Sequence, residues 1–361
     1  MDRARNRIRT PIVLALLIAG LAVSMVFTLA IGSSSLSVDA VYCILRDKLS
    51  RGGDAVSASI EAGTYTMANY QVVWNIRLPR VLFGALCGAG LSVCGAAMQA
   101  LVLNPIADPY ILGISSGASA GAAAALLLPL PLIAGSNQVV LFAMLGAMIS
   151  SAAVYLMARA GSGGHIRPVT LLLSGTAVNA VMSATTSLLV FLAKSPESIA
   201  AVYNWQMGSI AAAQWTTLWF PMVGVAIGVV VFSLCGNQFN QMMMGDEDAL
   251  SMGLNVRLFR TLMFIVSSVV VASLVSVTGI IGFVGLVVPH IVRLLTGTSD
   301  NKTVIPFSAV LGAIYLIWAD SAARGLFGGA ELPLGIITAF VGAPFFLYLM
   351  ARKKYGGGSG Q

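Results

Sequence analysis

Few side chains in this sequence are placed to do chemistry. The two histidines, His165 and His290, lie far apart with no ligand spacing around them. They do not make a metal set. Of the four cysteines, Cys87 and Cys94 are seven apart on one helix face, while Cys43 and Cys235 stand alone. That spacing is neither a metal knuckle nor a disulfide framework, and all four read as small buried hydrophobes. Asp320 resembles a lone catalytic acid, but Arg324 follows four residues later, and an intrahelical ion pair is the simpler account. No Gly-Lys dipeptide occurs, so no phosphate loop with its lysine is present. No catalytic residue and no metal ligand is expected. What remains is a set of arginines at the ends of apolar runs, Arg77, Arg80 and Arg324, and one polar segment, 238–256, reading QFNQMMMGDEDALSMGLNV.

The elements that must position these groups are membrane helices. Hydrophobic residues make up 58% of the 361 and charged residues only 9%, with a mean hydropathy of +0.90. A soluble domain carries about a quarter charged residues, so lipid must be the solvent for much of this chain. The net charge of +7 does not mark a nucleic-acid binder. The cations cluster at the ends of apolar runs, without a basic stripe interleaved with aromatics.

Apolar runs place about ten spans, at 11–31, 78–102, 111–128, 139–158, 169–193, 216–235, 258–277, 283–295, 304–322 and 334–350. With alternation from a cytoplasmic N-terminus, Arg46, Lys48, Arg51, Arg77, Arg80, Lys194 and Arg324 fall outside. The remaining thirteen of the twenty Lys and Arg fall inside. This asymmetry predicts both termini in the cytoplasm. The reading is one polytopic domain over 1–355, with an outer loop at 32–76. The last residues, 356–361, read as an expression remnant.

The spans carry almost no charge: 81–107, 198–245, 261–289 and 303–319 have none. An ion-coupled transporter usually keeps an acid in mid-membrane, whereas here the acids sit at span ends or in loops. The driving force is therefore expected from another chain.

Helix punctuation adds detail. Asn104-Pro105 ends one span, and Asp108-Pro109 reads as an N-cap with a first-turn proline opening the next. Gly113, Gly117 and Gly121 recur every four residues, a close-packing face. Gly279, Gly282 and Gly285 break the chain between the seventh and eighth spans, a pattern found near translocation routes and also in plain turns. On the fifth span Asn179, Ser183 and Thr186 are polar positions suited to lining a pathway, with helix-to-helix hydrogen bonding as the plainer account.

The segment 238–256 is too polar to span. Asp246, Glu247 and Asp248 crowd the first turn of a short helix, where the helix dipole favours negative charge. Ala249 and Leu250 continue it, and Gly253 reads as its stop. Methionines before it supply soft apolar surface of the kind used for docking. A short cytoplasmic helix of this composition suits contact with a partner.

At this point the chain resembles the permease subunits of iron-chelate and vitamin B12 importers, the FecCD family. The matching segments run in order from Ile76 to the end of the last span. They are IRLPRVLFGALCGAGLSVCGAAMQALVLNPIADPYILGISSGASAGA, LLLSGTAVNA, WQMGS, MGDEDALSMGLNV, TGIIGFVGLVVPHIVRLLTG, ADSAARGL and ELPLGIITAFVGAPFFLYL. The resemblance implies a homodimer in a bacterial plasma (inner) membrane. It also implies two cytoplasmic ATPase subunits that hold the ATP and Mg, and an extracytoplasmic substrate-binding protein. No cofactor is expected on this chain. Carried over by motif, the segment from Gly245 through Asp246, Glu247, Asp248, Ala249 and Leu250 to Gly253 becomes the ATPase-coupling helix. Arg77, Arg80 and Arg324 become the residues that receive the binding protein's acids, a task that suits arginine's planar fork. The expected cargo is a ferric siderophore, with haem or cobalamin as alternatives; an ion-coupled secondary transporter is the rival class.

Overall fold

Sixteen helices follow one another in the computed structural model, which describes residues 2–32, 36–50, 52–128, 136–163, 166–326 and 331–352. They are α1 (Asp2–Ala30), α2 (Val38–Ser50), α3 (Gly52–Glu61), α4 (Met67–Gln71), α5 (Leu78–Leu101), α6 (Ile114–Leu127), α7 (Ser136–Ala160), α8 (Pro168–Phe191), α9 (Pro196–Gln206), α10 (Trp215–Leu234), α11 (Gly236–Met242), α12 (Asp246–Ser251), α13 (Val256–Thr278), α14 (Val284–Thr296), α15 (Asn301–Gly325) and α16 (Leu334–Arg352). Among the described residues there is no strand. His165 and the tail 356–361 lie outside them. Seven helices are long and apolar enough to cross a membrane, and α6, α14 and α16 are shorter apolar helices. Together they account for the ten spans.

α5 is the axis of the bundle: 83% of its most apolar stretch is buried, against 11% for α1. Lipid offers no hydrophobic drive for bringing helices together, so close backbone approach has to supply the packing. A Cβ on Gly88 would overlap the Gly312 carbonyl of α15, and one on Gly95 would overlap the Gly285 carbonyl of α14. Gly117 and Gly121 of α6 lie in the same way against the α7 backbone. Gly113 differs from its neighbours. It adopts φ 75° as the left-handed N-cap of α6. Asp108 caps a separate 3-10 turn, Pro109–Leu112, by accepting from the Tyr110 amide. The span therefore starts at Ile114, not at the proline, because the left-handed glycine redirects the chain between the two helices.

Residues 36–71, read as outer loop, form α2, α3 and α4 over the end of α1. Asp47, only 3% exposed, organises them: its carboxylate accepts from Ser59 at 2.7 Å, from Tyr65 at 3.3 Å and from Arg46 at 2.9 Å. A π-helical turn, Val72–Arg77, then feeds straight into α5. There Trp74 lies 5.7 Å from Trp215 at the head of α10, and the Trp215 indole donates to the Trp74 carbonyl. This cap has its own small core of Leu29, Val41, Ile44, Val56, Tyr65 and Val73.

Candidate coupling and docking sites

α12 sits at one end of the bundle, beyond the C-terminus of α5. Gly245 enters it at φ 109° and ψ 161°, a conformation open to glycine alone, and Gly253 leaves it at φ 86°. The exit is a Schellman motif: Leu254 donates to the Ala249 carbonyl and Gly253 to that of Leu250. Asp246 faces back into the chain and pairs with Arg260 of α13 at 2.5 Å. Arg260, 3% exposed, also donates to the Ile166 carbonyl ahead of α8. Ala249 is fully buried. Leu250 is 59% exposed, with Met244, Met252, Glu247 and Asp248 exposed around it. Of the sequence-selected residues, then, Asp246 and Ala249 fasten the helix, Gly245 and Gly253 turn the chain at its ends, and Glu247, Asp248 and Leu250 form its outer surface.

Arg77, Arg80 and Arg324 meet at the opposite end, at the heads of α5 and the foot of α15. All three are buried and engaged. The Arg80 guanidinium is clasped on one side by Asp320, with Nε and Nη2 each 3.0 Å from Oδ1. On the other side it lies 2.9 Å from Glu331. Asp320 also takes the Arg324 Nε at 3.0 Å, the intrahelical pair read from the sequence. Arg77 donates to the carbonyls of Leu29 and Ala30, and Arg324 to those of Ile31 and Thr28. These oxygens belong to the last turn of α1 and the residue after it, which have no partner within the helix. Two cations from other helices thus cap α1 and complement its dipole. A small cavity of about 150 Å³ opens over the cluster, lined by Gly32, Ile76, the three arginines and Glu331.

Between these ends lies a cavity of about 830 Å³ whose walls mix hydroxyl and amide groups with apolar side chains such as Val190, Phe191 and Ile280. Asn179, Ser183 and Thr186 of α8 all line it, together with Ser116, Tyr203 and Gln206. Ser116 donates to Asn179 at 2.6 Å, and Thr186 satisfies itself on the Met182 carbonyl. Asn179 thus makes a helix-to-helix bond, while the Thr186 bond stays within α8. Ile280, from the break between α13 and α14, also lines the cavity. The break is held open by outside partners: the Tyr110 hydroxyl donates to the Ile281 carbonyl, and Ser209 donates to Thr278. Irregular backbone at this depth survives only with such cover. Its depth follows from Gly285, which packs against Leu91 and Gly95 in the middle of α5. Phe283 adopts φ 68°, unusual for a bulky residue, with its ring against Gly342 of α16.

Asp108 corrects one expectation. It lines the same cavity, and its neighbour Pro109 touches Gly285. The chain folds back after α5, so an acid in a short connection is carried to mid-bundle depth. Span counting misses this because the connection does not cross. Sequence reading also missed Glu331 as a partner of Arg80 and Arg260 as the anchor of α12. Among the described residues no three His, Cys, Asp or Glu side chains converge as a metal set.

Comparison with known proteins fits this architecture. The FecCD transport family model matches residues 16–352. A cobalamin import permease of Halobacterium salinarum is 41% identical over 300 residues, 83% of this chain and 78% of the relative. An Fe(3+)-citrate import permease of Bacillus subtilis is 41% identical over 286 residues, covering 78% and 81%. A hemin transport permease of Yersinia pestis is 37% identical over 286 residues, covering 78% and 84%. A solved inward-facing ABC transporter, assigned provisionally to the metal-chelate type, superimposes with TM-score 0.80 at 27% identity, over 95% of this chain and all of that one. The chain belongs to the FecCD transport family and is a membrane permease subunit of ATP-binding-cassette importers, not an enzyme.

Proposed function

We propose that this permease carries a ferric siderophore or similar oxygen-rich ferric chelate, working as a homodimer. The observation that carries this reading is the cavity lined by Asn179, Ser183, Ser116, Tyr203 and Gln206. Hydroxyls and amides suit a cargo that displays oxygens. A flat apolar macrocycle such as haem would leave them unpaired, at a cost. Cobalamin, rich in amides, is the second reading, favoured by the 41% identical cobalamin permease. The second copy follows from the same walls. Ser183 and Ser187 lie exposed on α8 beside the cavity, and polar groups facing hydrocarbon are costly, so another chain covers them.

The α12 end faces the cytoplasm and seats the ATPases, which bind ATP and Mg. Leu250, Glu247, Asp248 and the methionines make the contact, and Gly245, Gly253, Ala249 and Asp246 fix its angle. The opposite end receives the binding protein at Arg77, Arg80 and Arg324. Closure of the ATPases displaces α12, and the Asp246–Arg260 link passes that displacement to α13 and, through Ile166, to the head of α8. α8 lines the cavity, so access to it switches sides.

Proteoliposomes holding this chain, the ATPases and the binding protein provide the test. ATP-dependent uptake of a radiolabelled ferric siderophore, outcompeting haemin and cyanocobalamin, is the expected result. Preference for cyanocobalamin would select the second reading. Uptake by the chain alone would overturn the division of labour.

A further inference from the structure

The arginine cluster holds two carboxylates in unlike settings. Asp320 is 2% exposed and grips Arg80 and Arg324 together. Removing one partner of such a buried pair strands a charge, so Asp320 is a fixed part of the scaffold. Glu331 meets the same guanidinium on its other edge, 2.9 and 3.1 Å from Nη1, yet its side chain is 50% exposed. The exposed partner of such a pair is screened by solvent and so is the more readily replaced of the two carboxylates. Glu331 lies in a non-helical stretch before Pro333 and α16, where the next amide, Leu332, is pinned to the Ala323 carbonyl of α15 while Glu331 itself belongs to no helix.

We infer that Glu331 is an internal stand-in for the binding protein's carboxylate: it occupies the outer edge of Arg80 in the undocked permease and is displaced on docking. This rests on the docking reading above. The cavity over the cluster is lined by Glu331 itself and is about 150 Å³. An incoming carboxylate therefore reaches Arg80 alongside Glu331 and competes with it for the Nη1 edge. Asp320 keeps Arg80 Nε and Nη2 aimed throughout, so only the Nη1 edge changes partner. A preformed fork with a replaceable counter-ion avoids leaving a bare guanidinium at the membrane surface between docking events. It also makes docking an exchange of one carboxylate for another. Discrimination then depends on how well the incoming acid outcompetes Glu331.

The permease complex in nanodiscs and its own ligand-free binding protein provide the test, with association rate and Kd read by surface plasmon resonance across a salt series. Glu331→Gln is expected to tighten docking about three- to tenfold, chiefly in the association rate, and to steepen the salt dependence. Glu331→Asp should stay near the native value. Arg80→Gln is expected to weaken docking at least tenfold. If Arg80→Gln weakens docking but Glu331→Gln leaves it unchanged or weakens it too, Glu331 is scaffold and the exchange is wrong while docking stands. Unaltered docking in Arg80→Gln would overturn both. Glu331 is half-exposed and outside the core, so loss of folding does not confuse its variants; monodisperse elution checks this.

Discussion

Asp108 is the residue on which the choice of transport class turns. It sits on the wall of the mid-bundle cavity and caps the 3-10 turn through the Tyr110 amide. Asparagine caps nearly as well as aspartate, so Asp108→Asn removes the charge and keeps the geometry. ATP-driven uptake should persist within about twofold. A collapse of uptake in a well-folded variant would show that the carboxylate itself handles an ion, as in a secondary transporter. Asp47 makes a second residue-scale case, on the cap over α1. The Ser59 hydroxyl holds its carboxyl below the usual carboxylate range, Arg46 adds to this, and burial opposes it. A depressed native value stabilises the fold at pH above the ordinary value, about 4. That contribution is lost as pH falls through the native value. Amide-exchange protection of α2 and α3 should therefore hold from neutral pH to about 5 and decline below about 4. In Asp47→Asn the acid-dependent part of that decline should vanish.

Among elements, α12 separates two kinds of substitution that its sequence alone makes look alike. Leu250→Asp alters only the outer surface. Its expected signature is intact assembly and thermal stability with uptake reduced at least tenfold and ATP hydrolysis no longer responsive to the binding protein. Ala249→Leu instead forces a larger side chain into a fully buried place, and overpacking of this kind costs about 1–3 kcal/mol. It should lower the melting temperature first. Equal stability losses in both variants would mean that α12 has no free face. The existence of this helix was legible because three acids precede an apolar turn and a glycine. Which of its sides is free was not, since that depends on Arg260, fourteen residues from Asp246 in sequence. The same holds at the arginine end: Arg80 and Asp320 are 240 residues apart, and no local pattern links them. Spans were readable because lipid imposes one rule on length and polarity. The cap of α2, α3 and α4 was not, because its amphipathic helices are short and carry the charge expected of a loop.

At the scale of the whole molecule, the polar side of α8 is the feature that a single chain leaves unfinished. Ser183 is exposed and lines the cavity. If two copies meet there, Ser183→Cys in a background with the four native cysteines replaced should give an oxidant-dependent dimer band in native membranes. The band should be absent for a cysteine at Leu16, exposed on the lipid side of α1. Equal cross-linking at both positions would point to random collision instead. The bundle itself depends on backbone approach at Gly88–Gly312, Gly95–Gly285 and Gly117–Gly146. The spacing of these glycines could be read from the sequence, but their pairings could not.

The trans cap on α1 has a consequence for the order in which the molecule is built. α1 emerges first, is little buried along its length, and finishes in carbonyls that accept from Arg77 and Arg324. One of these donors is translated 293 residues after the oxygen it serves. Arg77 can close on the Leu29 and Ala30 oxygens once the second span enters, but the Thr28 and Ile31 oxygens wait for the ninth, so the N-terminal helix is held by half a latch until the bundle is nearly complete.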